Sequence, residues 1–284
     1  MTSQPSAGSY SGPTADIGVI GGSGLYSLFE GETVEIETPW GQPSDALTLA
    51  DVGGRRVAFV PRHGSGHRFP PHRVNYRANL WALRTVGVRQ VLGPCAVGSL
   101  KPEHDAGTVV VPDQLVDRTW GRAHTYFDEP HGVVHVAFAD PYCPQGRESV
   151  LAAGRDRGQS LVDGGTLVVI NGPRFSTRAE SLWHQAQGWS IVGMTAAPEA
   201  SLARELAMCF TTAALVTDLD AGLEHGDGVT HDEVLRVFAE NIEVVRALVL
   251  DTIAKLPGPD ADCTCHHALD GQRLPFELPG APLP

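Results

Sequence analysis

The sequence has little positive charge and no long apolar run. Lysine and arginine together number 21, against 33 aspartate and glutamate residues, which gives a formal net charge of −12. Binding to nucleic acid or to an acidic membrane needs a basic face, so we expect neither class of partner. No apolar run reaches the roughly 20 residues that a membrane-spanning helix requires. The composition still allows a small anionic ligand held by a few local donors.

Cysteine is also scarce, with 5 residues in the chain. They are scattered and do not form the framework of a disulfide-rich protein, and residues 1–15 lack the basic and apolar regions of a signal peptide. We therefore expect a flexible leader and a cytoplasmic protein. Cys263 and Cys265 stand one residue apart and are followed by two histidines. Because C-x-C-H-H is not a standard zinc spacing, we favour a redox-sensitive pair or a tail without function over a metal site.

Short β-rich runs alternate with helical patterns along the chain. Near-continuous apolar runs predict strands at 17–21, 56–61, 90–93, 108–112, 166–171, 190–193 and 211–217. Helices are predicted at 75–86, in a segment whose first turn holds Pro198, and after a T-x-x-E capping box that begins at Thr230. This alternation predicts an α/β fold with a mostly parallel sheet. We expect a single domain over residues 16–256, with residues 257–284 packed on it or on a neighbouring subunit.

Small residues follow two of the predicted strands. Gly21, Gly22, Ser23 and Gly24 end the first strand, and glycines let the backbone approach a ligand while a serine hydroxyl suits an anion. The run matches neither G-x-G-x-x-G nor a P-loop, so a plain strand-to-helix turn is an equal alternative. The stretch GPCAVGSL has the same strand-then-small-residue pattern. Its cysteine, Cys95, is interpreted as buried and unreactive.

Two further strand ends carry groups that suit an anion. Arg62 and His63 begin a basic segment at the carboxyl end of a strand, where open α/β sheets bind ligands, and arginine offers paired donors to phosphate. The alternative is a solvated loop paired with local carboxylates. Met194 and Thr195 precede a helix N-terminus, where a hydroxyl and free N–H groups suit an anion or a sugar. Glu199, in the first turn of that helix, either caps the helix or binds ligand.

The remaining candidates suit a heterocyclic base. Phe175 offers a flat apolar face and Ser176 a hydroxyl. Asp218 and Asp220 follow a strongly apolar strand, and residues two apart on a strand point to the same side. Burying two carboxylates together raises the proton affinity of one, which suits proton donation to a leaving group. The alternative is an Asp-rich turn.

Taken in order, these stretches resemble the trimeric purine nucleoside phosphorylase superfamily, and within it the 5′-methylthioadenosine phosphorylase branch. The resemblance covers residues 16–256 and rests on TPWGQPSDAL, RHGSGH, VNYRANLWAL, DQLVDRT, GPRFSTRAES, MTAAPEASLARE and TDLD. It implies one α/β domain with a mixed, partly barrel-like central sheet flanked by helices, and a homotrimer. It also implies that phosphate attacks C1′ of methylthioadenosine and releases adenine, in purine and methionine salvage. Inorganic phosphate is then a co-substrate, and no metal or organic cofactor is required.

The resemblance also implies a role for each site residue. Phosphate would contact Ser23, Arg62, His63, the N–H of Ala96 and Thr195. The base and ribose would contact Phe175, Ser176, Met194, Thr217, Asp218 and Asp220, with Asp218 donating a proton to N7 and Asp220 accepting from the exocyclic amine. The 5′ substituent would contact Val229 and, from the neighbouring subunit, His135.

Adenine is the expected base because related 6-oxopurine enzymes carry Asn where Asp218 stands. The alternatives are a phosphorylase of 6-oxopurine nucleosides or of 5′-methylthioinosine, a nucleosidase that uses water, and a non-catalytic purine-binding module. Cys95 stands where the family's animal members have Thr, which affects the phosphate side of the site.

Overall fold

The computed structural model describes residues 10–22, 25, 28–130, 132–221 and 230–280, without the side chains of residues 231 and 233. Across these ranges, the helices are too short or too polar to pass through a lipid bilayer. The strands are β1 (Ile17–Gly21), β2 (Glu32–Val34), β3 (Leu47–Val52), β4 (Arg55–Pro61), β5 (Gln90–Leu92), β6 (Cys95–Ser99), β7 (Val109–Val111), β8 (Gln114–Arg118), β9 (Val162–Asp163), β10 (Thr166–Ile170), β11 (Ile191–Gly193), β12 (Cys209–Thr211) and β13 (Ala214–Leu219). The helices are α1 (Tyr76–Thr85), α2 (Pro144–Asp156), α3 (Arg178–Ala186), α4 (Ala196–Glu205) and α5 (His231–Lys255).

The strands form two sheets. The first has the order β12-β5-β1-β4-β3-β2, and the second has the order β8-β10-β11-β6-β13-β7-β9. In the first sheet β12, β5, β1 and β4 run parallel, while β3 and β2 add an antiparallel edge. In the second sheet β6 pairs with β13 in parallel and with β11 in antiparallel orientation. The sheet is therefore mixed, as expected from the resemblance.

Two neighbouring chain segments pass from the first sheet into the second. Gly93 and Pro94 join β5 to β6, and Thr212 and Ala213 join β12 to β13. The segments stay hydrogen bonded through the bend, since the N–H of Gly93 donates to the Thr211 carbonyl at 2.8 Å and that of Cys95 to the Ala213 carbonyl at 3.2 Å. The two sheets thus form one curled surface, which confirms the partly barrel-like architecture.

This bend corrects two predictions. Residues 211–217 were expected to form one strand, but the chain turns between β12 and β13. The stretch GPCAVGSL was expected to be a strand followed by small loop residues, whereas Cys95–Ser99 is itself strand β6. Pro94 lies at the bend, where its missing N–H removes no donor from either strand's ladder.

The helices cover both faces of the curled sheet. Helix α1 begins after Asn75, whose side chain accepts from the N–H of Ala78, and it buries Leu80, Trp81 and Leu83 completely or nearly so. It confirms the helix predicted at 75–86. Helix α5 confirms the helix expected after Thr230, and it buries an apolar stripe that includes Phe238, Val245, Leu248, Val249 and Ile253.

The sequence patterns missed the elements that are short, half-exposed or interrupted by polar residues. Strand β3 has exposed and half-buried positions among its apolar ones, and β8 is not fully buried at any position, so neither has a continuous apolar run. Helix α3 begins with a capping box between Thr177 and Glu180. That T-x-x-E pattern is visible in the sequence, but it lies in a stretch interpreted only as a pocket loop.

The C-terminal segment after α5 packs on the body of the same chain. The guanidinium of Arg55 donates to the Leu256 carbonyl at 2.8 Å and to the Pro257 carbonyl at 3.1 Å. Further along, the ring of Phe276 stacks on Phe127 at 5.3 Å between centroids and also contacts Trp81 at 5.6 Å. The tail is thereby joined to the core that surrounds α1.

Candidate active site

One cavity of about 410 Å³ collects nearly all the predicted site residues that the structure describes. It lies where the carboxyl end of β4, the length of β6 and the second half of β13 meet. The predicted residues that line it are Arg62, His63, Ala96, Phe175, Ser176, Met194, Thr195, Thr217, Asp218 and Asp220. Its size suits a nucleoside-sized ligand.

Strand β6 connects a cationic end of this cavity to a carboxylate end. Cys95, at its start, lies close enough to Arg62 to interact with its charge. Three residues later, Gly98 lies against Asp218, where a Cβ atom would come within 2.9 Å of the carboxylate Oδ1. At a rise of about 3.3 Å per residue the two ends are roughly 10 Å apart. Only glycine at position 98 leaves this room for the carboxylate.

Arg62 supplies the cation, and a buried carboxylate fixes its orientation. Its Nε and Nη2 donate to the two oxygens of Glu199 at 2.6 and 3.0 Å, and both side chains are 1% exposed. Its Nη1 donates to the Pro94 carbonyl at 3.1 Å. Burial alone would lower the pKa of Arg62, but the adjacent carboxylate raises it above its ordinary value. These bonds use three of five N–H donors and leave one on each terminal nitrogen.

Glu199 therefore has a different role from the two that the sequence offered. It neither caps α4 nor faces a ligand, because both of its oxygens are bound to Arg62. Nothing in the local sequence around Glu199 indicates its pairing with Arg62, because the two residues are 137 positions apart.

His63 lies beside Arg62 and is held as a neutral imidazole. Its Nδ1 is 2.8 Å from the Phe69 carbonyl oxygen. A carbonyl only accepts, so this nitrogen carries the proton and Nε2 has a lone pair. Burial and the charge of Arg62 lower the pKa of His63 to about 4. Its ring stacks on His67 at 4.5 Å between centroids.

Thr195 and Ala96 add uncharged groups to the cationic end. Thr195 immediately precedes α4, is buried, and its side chain makes no cap hydrogen bond. The N–H of Cys95 points to β13, so the N–H of Ala96 points to the other edge of β6. On that edge of β6, the residues that pair with β11 are Gly98 and Ser99. Ala96 therefore lies before the part of β6 that pairs with β11. Both residues line the cavity.

A β-bulge forms the carboxylate end. The register pairs Val216 with Val97 and Asp218 with Gly98, which leaves Thr217 as an extra residue on β13. A bulge re-aims the side chains around it, whereas adjacent residues on a regular strand point to opposite faces. Thr217 and Asp218 consequently line the same cavity, together with Asp220. The predicted shared side of the two carboxylates is confirmed, with a bulge that the sequence did not predict.

Each carboxylate receives a hydrogen bond from a hydroxyl group. Thr217 Oγ1 donates its one proton to Asp218 Oδ2 at 2.8 Å, and the Val97 carbonyl oxygen lies 3.2 Å from the same hydroxyl. Ser181, on α3, donates through its hydroxyl to Asp220 Oδ2. Ser176 Oγ is buried and has no hydrogen-bond partner among the described residues. An unpaired buried hydroxyl at a cavity wall is a position for a ligand atom.

Two residues that organise the site were not predicted. Ser181 fixes Asp220, and Arg122 joins the loops around the cavity. Arg122 donates to the carbonyls of Asn171 at 2.8 Å, Met194 at 2.9 Å and Ala197 at 2.6 Å. Both residues act through partners more than 35 positions away in sequence, so no local pattern indicates them.

Of the predicted site residues that the structure describes, His135 is the one that does not line the cavity. Ser23 and Val229 lie outside the described residues. His135 is exposed in a loop, where its carbonyl accepts from Gln272 at 3.1 Å. Cys95 does line the cavity, and burial raises the pKa of its thiol to about 12, so it is neutral at pH 7.

With this geometry established, comparison with known proteins defines the class. The sequence model of the phosphorylase superfamily matches residues 16–254, and the chain therefore belongs to this superfamily. It is a pentosyltransferase that acts on a nucleoside and phosphate.

Individual relatives show which nucleoside phosphorylases the chain is similar to. The chain is 62% identical over 274 residues to the purine nucleoside phosphorylase of Streptomyces coelicolor, covering 93% of this chain and 98% of the relative. It is 56% identical over 267 residues to the S-methyl-5′-thioadenosine phosphorylase of Mycobacterium tuberculosis, covering 93% and 97%. A solved methylthioadenosine phosphorylase sourced from an antarctic soil metagenomic library has a TM-score of 0.86 and 38% identity, over 92% of this chain and 93% of that one. These relatives share phosphorolysis and differ in the nucleoside that their names state.

The buried Arg62–Glu199 pair yields a first prediction. Glu199→Gln leaves the guanidinium buried without its countercharge, so we expect a loss of roughly 3–5 kcal/mol in unfolding free energy, measured by urea denaturation without phosphate. The matched control is Glu240→Gln, which breaks an exposed pair with Arg236 on α5 and costs under about 1 kcal/mol. Equal losses in the two variants would contradict the assignment.

The neutral state of His63 yields a second prediction. Its pKa is about 4 in the folded protein, below the ordinary value of 6.5, so the unfolded chain binds more protons between these pH values. Stability therefore falls as the pH falls from 6.5 to 4, by at most about 1.4 kcal/mol per pH unit from this group. His63→Asn lacks this contribution. Urea unfolding across that range is expected to show a shallower acid loss in the variant, and parallel curves would refute it.

Proposed function

We propose that the protein catalyses the phosphorolysis of S-methyl-5′-thioadenosine to adenine and 5-methylthioribose 1-phosphate. The observation that carries the proposal is the pair of buried carboxylates, Asp218 and Asp220, at the opposite end of β6 from a fixed guanidinium. The relatives named as methylthioadenosine phosphorylases support it.

The cationic end is proposed to hold phosphate. The two N–H donors that Arg62 retains and the Ala96 N–H supply hydrogen bonds to its oxygens. The Nε2 lone pair of neutral His63 accepts from the P–OH group that phosphate carries at neutral pH. Thr195, whose hydroxyl does not cap α4, completes the set, and Ser23 is proposed to join it.

The carboxylate end is proposed to bind the purine. Ser181 donates to Asp220 Oδ2, and the other oxygen, Oδ1, is proposed to accept from the 6-amino group of adenine. A 6-oxopurine presents a carbonyl at that position, and two acceptors facing each other repel. Phe175 and Met194 supply apolar contact with the ring, and the unpaired Ser176 hydroxyl a further hydrogen bond.

The reaction is proposed to proceed through charge separation at C1′. A phosphate oxygen forms the new bond to C1′ while the C1′–N9 bond breaks, and the bonding electrons pass to the purine. Asp218, protonated and positioned by Thr217, gives its proton to N7 as the base leaves. The negative phosphate stabilises the oxocarbenium character of the sugar before it captures C1′. The groups assigned to these steps are side chains of the protein, the Ala96 N–H and the co-substrate phosphate.

The 5′ end of the proposed site is shared between subunits. His135 is exposed in its own chain, outside the cavity, as a residue that serves a neighbouring subunit would be. We propose that a homotrimer brings it to the methylthio group beside Val229. Val234, on α5, lines the cavity and is proposed to add an apolar wall at this end.

A second candidate is the phosphorolysis of 6-oxopurine nucleosides. The 62% identical relative from Streptomyces coelicolor is named a purine nucleoside phosphorylase, which favours this activity. The buried carboxylates oppose it, because neither offers a neutral amide donor to a 6-oxo group.

Product analysis tests the proposal directly. The purified protein is incubated with methylthioadenosine, adenosine, inosine or 5′-methylthioinosine, each with and without phosphate, and the free bases are separated by chromatography. We expect adenine to be released only with phosphate and fastest from methylthioadenosine. Faster release of hypoxanthine from the inosine compounds would favour the second candidate. Release without phosphate would overturn phosphorolysis.

Asp218→Asn tests the proton donor. The amide keeps the shape of the side chain but has no acidic proton, so we expect kcat for adenine release to fall by roughly 10²–10⁴-fold. The ratio of hypoxanthine to adenine release is expected to rise, because the amide donates to a 6-oxo group. Asp251→Asn, on the exposed face of α5, is the control and should retain full activity. An unchanged kcat in Asp218→Asn would refute the role.

A further inference from the structure

Four cysteines meet at a buried point that is separate from the cavity. Cys143, Cys209, Cys263 and Cys265 are each at most 4% exposed, and none of them lines the active-site cavity. Their sulfur atoms all lie within 4.8 Å of one another. Cys143 precedes α2, Cys209 begins β12, and the other two belong to the C-terminal tail. Three separated parts of the chain therefore bring their thiols to one place.

The distances fit a single tetrahedral metal ion. With zinc–sulfur bonds of about 2.3 Å, the sulfur atoms of a tetrahedral site are about 3.8 Å apart. Cys263 Sγ lies 3.6 Å from Cys143 Sγ and 3.5 Å from Cys209 Sγ. A disulfide needs two sulfurs at about 2.05 Å, and Cys263 is almost equidistant from two possible partners. The arrangement is that of four ligands around a centre, not of two pairs.

Donors and cations surround the four sulfur atoms. The N–H of Gly146 donates to Cys143 Sγ at 3.5 Å, and Arg204 Nη2 donates to Cys265 Sγ at 3.7 Å. His266 Nε2 is 3.5 Å from Cys209 Sγ, and Arg89 lies close enough to interact with the charge of the same sulfur. Four thiolates around a divalent ion carry a net charge of −2. Positive groups and N–H donors around the ligands stabilise such a centre.

We propose that the protein binds one zinc ion through Cys143, Cys209, Cys263 and Cys265. Thiolate sulfur is the ligand that Zn²⁺ prefers in four-cysteine sites, and a set of four protein ligands leaves no position for substrate. The site is structural: it joins the start of α2, the start of β12 and the C-terminal tail. The tail spacing C-x-C did not indicate it, because half of the ligands lie far away in sequence.

Metal content and thiol count of the wild-type chain test the proposal. The full-length protein is purified without a metal-affinity tag, in the presence of a phosphine reductant, and dialysed against metal-free buffer. Elemental analysis is expected to find about one zinc per chain. A mercurial reagent should release this zinc as four thiols react. In a separate sample without the mercurial, denaturation with a chelator should expose all 5 cysteines as free thiols.

Variants tie the metal to these residues. Cys263→Ser with Cys265→Ser is expected to reduce bound zinc to less than about a tenth of an ion per chain and to lower Tm by roughly 10 °C. Cys265→His keeps four ligands and should retain zinc. Cys95→Ser, the one cysteine outside the cluster, is the matched control and should bind zinc as the wild type does.

Three results would overturn the proposal. The first is wild-type protein without metal whose cluster thiols are all free or are paired as disulfides by mass spectrometry. The second is about one iron per chain in place of zinc. The third is a double serine variant that folds and retains full zinc. If the double variant does not fold, the metal and thiol counts of the wild type still decide.

Discussion

The architecture of the site depends on one constraint, which is that two neighbouring segments remain hydrogen bonded while they bend from one sheet into the other. Gly93 and Cys95 donate across this bend to Thr211 and Ala213. As a result β6 and β13 enter the second sheet side by side and in register. Strand β6 forms the cavity wall between the cationic and the carboxylate ends, and β13 positions the carboxylates. The cavity is thus a product of sheet curvature, and the loops add to it.

The charged groups of the site are held in position by buried partners that lie far away in sequence. Taking Arg62 and Glu199 out of water is costly, and their paired hydrogen bonds offset that cost only in one relative orientation. The pair therefore fixes the end of β4 against α4. The hydroxyl groups of Ser181 and Thr217 fix the two aspartates in the same way. Arg122 ties the surrounding loops together through their carbonyls. A preorganised electrostatic site requires this second layer of contacts.

Residue type and local pattern were sufficient to predict α1, the strands β1, β4, β5, β7, β10 and β11, and several of the residues that line the cavity, whereas Ala96 and Thr217 came from the family resemblance. Strand β1 matches its predicted limits because all five of its residues are buried and apolar. The role of Glu199, the bulge at Thr217 and the contacts of Ser181 could not be predicted in this way, since each depends on a partner remote in sequence. The cysteine cluster shows the same limit: the tail pair taken alone has the wrong spacing for zinc, and its two companions come from elsewhere in the fold.

The extra residue in β13 has a consequence for how specificity can change. On a regular strand, every second residue faces the same side of the sheet. The residues that pack in the core and those that contact the ligand would then have to share one set of odd- or even-numbered positions. The bulge changes that alternation, so that Ala214, Leu215 and Val216 pack in the core while Asp218 and Asp220 line the cavity. Selection can therefore act on the two halves separately. Substitutions in the second half can change which purine base is bound while the core packing of the first half stays the same.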